Sequence, residues 1–115
     1  MSEFKEITHV GAGWRPLLSE LDDMLKYLSP EYSVVQVKQK FGTLRLYAEY
    51  VPKPDETDRE TAQKMFYNLI HHYESRTARM CEVCGEFGTL YNTRGSLRTR
   101  CVTHGDVMPS EVGEA

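Results

Sequence analysis

The chain has no hydrophobic run approaching the ~20 residues of a membrane-spanning helix, so no part of it is expected to cross a bilayer. Its opening stretch, Met1-Ser2-Glu3-Phe4-Lys5-Glu6, alternates charged with apolar residues and has neither the positive start nor the apolar centre of a secretion signal. The expected location is therefore cytoplasmic. Cysteine is scarce and odd in number, three in 115 residues, which argues against a disulfide framework. Excess positive charge is missing too. A net charge of −3 and a pI near 5.8 exclude a wholly basic nucleic-acid or membrane binder.

Some absences are local. Between Ser33 and Tyr47 sit Lys38, Lys40 and Arg45 with no carboxylate. From Gly105 to Ala115 the pattern reverses, with Asp106, Glu111 and Glu114 and no base, so residues 106–115 are expected to form an acidic, disordered tail. From Arg76 to Cys101, Arg76, Arg79, Arg94, Arg98 and Arg100 outnumber Glu82 and Glu86. What is present in quantity is apolar material, 40% hydrophobic and 10% aromatic, enough for a core.

Gly11-Ala12-Gly13 reads as a flexible entry to a helix over about 15–28. There Trp14, Leu17, Leu18, Leu21, Leu25 and Leu28 recur at steps of three and four, Asp22, Asp23 and Lys26 fall on the other side, and Ser29-Pro30 ends the run. Val34 to Lys40 is β-branched and alternates from Val35 onward, and Thr43 to Val51 alternates again. The short link through Phe41-Gly42 makes the two an antiparallel hairpin, with Gly42 supplying a positive φ. Its polar face presents Gln36, Lys38, Lys40, Arg45 and Tyr47. Thr57-Asp58-Arg59-Glu60 fits a capping box before a long helix over about 58–78, whose stripe holds Ala62, Met65, Phe66, Leu69, Ile70 and Tyr73. The expected class is α+β: helix, hairpin and long helix over 1–80, then a small zinc ribbon over 81–105, packed on or fused to the first part.

From Cys81 the periodicity stops. Cys81-Glu82-Val83-Cys84-Gly85 and Cys101-Val102-Thr103-His104-Gly105 are two knuckles, each placing two soft donors two residues apart with glycine behind them. Structural zinc takes four such ligands in a tetrahedron, so Cys81, Cys84, Cys101 and His104 are expected to hold one Zn²⁺. A thioredoxin-type pair would sit between a strand and a helix, whereas Cys81 follows a helix and is echoed by the second knuckle. A catalytic zinc would keep one position open, and here four ligands close the sphere. His71 and His72, adjacent on a helix, point about 100° apart and do not share an ion. No enzymatic activity is expected.

These motifs together resemble a family of short zinc-ribbon proteins encoded in phages and prophages. Its signature, K-x-K-F-G-x-L-R-[F/Y]-Y, matches Lys38-Gln39-Lys40-Phe41-Gly42-Thr43-Leu44-Arg45-Leu46-Tyr47, with Leu46 replacing the usual aromatic, and is followed by C-x₂-C-G and C-x₂-H. Trp14 and its helix match the family's opening, and the likeness covers residues 13–105. The family has no established activity. The resemblance implies a phage-derived protein acting in a bacterial cytoplasm.

Phe41, Gly42 and Leu44 have structural work as turn and core, but Lys38, Lys40, Arg45 and Tyr47 do not. The first expectation for these four, joined by Arg94, Arg98 and Arg100 on the ribbon, is docking on a host protein and modulation of it, because Tyr and Arg are enriched at interface hot spots. The second is nucleic-acid binding, by phosphate contacts and base stacking. The acidic overall charge weighs against that reading. A third, lesser expectation is a small anionic nucleotide signal held by the same cations.

Overall fold

A computed structural model of the chain describes residues 10–93 and 95–105. The N-terminal residues 1–9, Arg94 and the expected acidic tail over 106–115 lie outside the described residues. A short 3-10 turn, Ala12–Trp14, leads into helix α1, Arg15–Leu28. Strands β1 (Ser33–Lys40) and β2 (Thr43–Glu49) form one antiparallel hairpin. Helix α2, Arg59–Arg76, continues into a 3-10 turn, Thr77–Arg79, and strands β3 (Thr89–Thr93) and β4 (Ser96–Arg100) form a second antiparallel hairpin. The architecture is thus mixed α and β, two helices and two hairpins. No helix among the described residues is long and apolar enough to cross a membrane.

The core lies where α1, α2 and the inner face of the first hairpin meet. Trp14, Leu17, Leu18, Leu21 and Leu25 pack against Val37, Leu44 and Leu46 from the hairpin and Phe66, Ile70 and Tyr73 from α2. Tyr32 and Tyr50 set their rings edge-on to Phe66, each at 5.6 Å between centroids, and Tyr67 does so at 5.0 Å, a favoured aromatic geometry. The two central residues of the hairpin turn, Phe41 (φ 53°) and Gly42 (φ 83°), both have positive φ. That combination matches the twist of the flanking strands. Glycine adopts it freely, and a bulky side chain does so at a cost.

Several local expectations are corrected. The pairing slips between Val34 and Gln36, so Val34 packs on the core while Val35 is the bulged residue and is exposed. A bulge inserts one unpaired residue and shifts the alternation by one. Met65 is exposed rather than core. Asp22 is buried, bonded by the Tyr32 hydroxyl and 3.4 Å from Lys26 Nζ. The cap of α2 is Asp58, one residue later than expected, whose carboxylate accepts from Thr61 N–H (3.1 Å) and the Thr61 hydroxyl (2.8 Å). These bonds favour the charged form and hold the Asp58 carboxyl below its usual range.

The supposed flexible entry is closely packed. Gly13 N–H bonds to Glu82 O at 2.8 Å, and a Cβ there would collide with Cys81 O and lie 2.5 Å from Gly85 N. Only glycine lets the entry approach the first knuckle so closely. Beside it, Trp14 Nε1–H bonds to Met80 O at 2.8 Å. At the other end of the first hairpin, the buried Thr99 hydroxyl donates to Gly42 O at 2.6 Å. The C-terminal segment therefore meets the entry turn at its first knuckle and the turn of the first hairpin at β4.

Candidate metal centre

The first knuckle is a tight turn after α2. Gly85 N–H closes it onto Cys81 O at 2.8 Å, and Cys81 N–H reaches Glu86 O at 2.7 Å. The second follows β4, where His104 N–H bonds to Cys101 O at 3.2 Å. The knuckles are brought face to face by Glu82 N–H, which bonds to Thr99 O at 3.0 Å, and by the pairing of Met80 with Phe87.

One ligand atom from each of Cys81, Cys84, Cys101 and His104 lies within 4.8 Å of all the others. Cys84 Sγ and Cys101 Sγ are 3.7 Å apart, as are Cys81 Sγ and His104 Nδ1, and Cys101 Sγ to His104 Nδ1 is 3.2 Å. A tetrahedron with metal–sulfur bonds of ~2.3 Å has sulfur–sulfur edges of about 3.8 Å, so the donor set fits a metal ion such as zinc. Cys81 and Cys101 are buried and Cys84 is exposed.

The thiols are not equivalent. Burial pushes Cys101 up, but the backbone N–H groups of His104 and Thr103, with the Cys84 and Cys81 thiols, outweigh it and lower it to about 6. The Glu86 N–H pulls Cys84 down, while burial and the neighbouring Cys101 and Cys81 sulfurs leave it raised. A thiolate at Cys101 is the ionic form that a metal requires.

The segment around this cluster has little apolar core of its own. Among described residues 81–105, the only buried side chains of apolar type are those of Cys81 and Cys101, whereas Phe87, Leu90 and Val102 are exposed. In place of an apolar core lies an ion cluster. Fully buried Glu82 accepts from Arg100 Nε at 2.7 Å and from Arg98 Nη1 at 3.3 Å, and Arg100 Nη1 also reaches His104 O at 3.0 Å.

That cluster corrects the expected cationic surface. Arg98 and Arg100 are buried structural partners of Glu82, not an exposed contribution to a binding face. Arg94 lies outside the described residues. The remaining four share the outer face of the first hairpin. Lys38 stands directly opposite Arg45, Lys38 Nζ lies 5.7 Å from the Tyr47 ring centre, and Lys40 Nζ lies 5.5 Å from that of Phe41. Among the described residues none of the three cations has a carboxylate partner, and Arg45 Nε is buried without a hydrogen bond.

Sequence reasoning missed Phe41 as an exposed member of this face, as well as Glu82. The alternation puts Phe41 at a turn but does not say that it points outward. His71 and His72 are exposed on α2, His71 Nδ1 lying 3.3 Å from Glu74, and neither approaches the metal cluster. Comparisons with protein-family models, curated proteins and solved structures return no match.

Proposed function

We propose that this chain is a non-enzymatic accessory protein of phage type, in which one structural zinc ion at Cys81, Cys84, Cys101 and His104 organises a C-terminal zinc ribbon. On this reading the outer face of the first hairpin docks on a host protein in the bacterial cytoplasm and alters its activity. The observation that carries the docking role is the pair Lys38 and Arg45, directly opposite each other and, among the described residues, neither ion-paired with a carboxylate. Like charges opposite one another on a sheet are destabilising, so the pair serves something other than the fold. Around it stand exposed Tyr47 and Phe41. Phe41 is displayed from a positive-φ backbone that costs about 1–3 kcal/mol in a non-glycine residue. Strain of that kind accompanies functional positions more than packing ones.

The nucleic-acid alternative loses support from the burial of Arg98 and Arg100, because fewer cations are left to neutralise phosphates. The Lys40→Glu/Arg45→Glu protein separates the readings. It should fold as the parent does and fail to retain the host protein that the parent captures from bacterial lysate. Undiminished capture would remove the hairpin face from the interaction. Binding of mixed-sequence DNA or RNA by the parent, with a steep salt dependence abolished in the variant, would favour the nucleic-acid reading instead.

A further inference from the structure

The two helices carry more apolar surface than the core uses. They run antiparallel: Arg76 Nη1 lies 3.3 Å from a Glu20 carboxylate oxygen, and the Tyr73 hydroxyl donates to Met24 Sδ at 3.1 Å. Further along, Asp23, Met24, Tyr27 and Leu28 of α1 line an open groove of about 500 Å³ with Met65 and Leu69 of α2. Leu28 and Leu69 are half-buried and pack on the core, whereas Met24, Tyr27 and Met65 are 44%, 79% and 52% exposed. Lys26, Lys64 and Arg76 of the same helices are committed to Asp22, Glu60 and Glu20. Asp23, exposed on the rim, has no ion pair among the described residues. Neither has Lys53, whose Nζ rests 5.4 Å from the Tyr27 ring centre.

Asp23, Met24 and Tyr27 share one side of α1, because residues three and four apart on a helix are neighbours. A twofold axis between Met24 and Tyr27 brings α1 of a second copy antiparallel onto this side. In such a contact, each residue meets in the second copy a residue that meets it in return. Met24 then lies against Tyr27 of the second copy, a favourable sulfur–aromatic contact made twice. Asp23 falls level with Leu28 of the second copy, beside the tyrosine on which Lys53 rests, so each carboxylate gains an ammonium. We infer that the groove between α1 and α2 is the interface of a homodimer, filled by Met24, Tyr27 and Met65 and aligned by reciprocal pairs of Asp23 with Lys53. Three exposed apolar side chains make a patch smaller than the ~800 Å² per partner of a standard interface, so the dimer is weak and forms as concentration rises. It uses no residue of the hairpin face and stands apart from the docking reading.

The test is sedimentation equilibrium of the full metal-loaded chain, from about 1 μM to about 1 mM at low ionic strength. The mass should rise from that of one chain towards that of two. Met65→Glu, a substitution at an exposed position, buries a lone charge in the dimer and should raise its Kd by about tenfold or more. Asp23→Lys and Lys53→Asp should each weaken it by about tenfold, since symmetry turns one reversal into two repulsive pairs. Combining them restores both pairs with the signs exchanged, so Asp23→Lys/Lys53→Asp should return to within about threefold of the parent. The mass of a single chain at every concentration would overturn the inference. So would a dimer indifferent to Met65→Glu, which would place the contact elsewhere, or a double variant no tighter than either single one. Saturable binding of a synthetic lysine-bearing amphipathic helix by a chain that stays monomeric, lost in Met65→Glu, would assign the groove to another protein and overturn it as well.

Discussion

Glu82 is a carboxylate with no solvent exposure, held between two arginines of β4. Removing one member of a buried ion cluster leaves the others charged and unsatisfied, which costs about 3–5 kcal/mol. Glu82→Ala should therefore lower the unfolding free energy of the metal-loaded protein by that amount in urea titration. A loss below about 1 kcal/mol, the range of an exposed pair, would mean that Arg98 and Arg100 are not held as described. The pairing was not legible in the sequence. In the sequence Glu82 stands between the two cysteines of the first knuckle, and Arg98 and Arg100 fall among the cations expected to dock a partner. Their adjacency arises only when Glu82 N–H meets Thr99 O and turns the knuckle onto β4.

At the scale of the elements, the first hairpin depends on side chains from the end of α2 that cover one of its edges. The Thr77 hydroxyl donates to Glu74 O (2.6 Å) and accepts from Leu44 N–H. Thr77→Val keeps the shape and orphans that buried N–H, at about 1–3 kcal/mol, whereas Thr77→Ser keeps the acceptor. Urea midpoints should fall for valine and stay near the parent for serine; equal midpoints would show that the edge bond carries no stability. Elements with strong periodicity were legible in detail: the stripe from Trp14 to Leu28 predicts α1 over the observed Arg15–Leu28. The bulge was not, because Val34 and Val35 are equally apolar and only the pairing slip decides which of them faces the core. Nor was the cap at Asp58, since Thr57 and Asp58 are both good capping residues.

At the scale of the whole molecule, the C-terminal segment is tied to the entry turn through Gly13 on Glu82 and Trp14 on Met80, and to the first hairpin through Thr99 on Gly42. The clustering of Cys81, Cys84, Cys101 and His104 was legible because two knuckles of equal spacing converge on a common centre. The glycine entry that receives the first knuckle was not, because Gly11-Ala12-Gly13 has the composition of a loose linker. The C-terminal segment buries no aliphatic or aromatic side chain of its own among the described residues. Structural zinc contributes roughly 10–16 kcal/mol to folding in zinc-finger peptides. The segment's order should accordingly be conditional on its ion.

Native mass spectrometry of the recombinant chain, followed by chelation with amide exchange read over residues 81–105, tests this most directly. One zinc ion per chain is predicted, with loss of protection from Cys81 to His104 once the ion is withdrawn. A chain that carries no metal and still protects those amides would contradict the centre and the reading built on it.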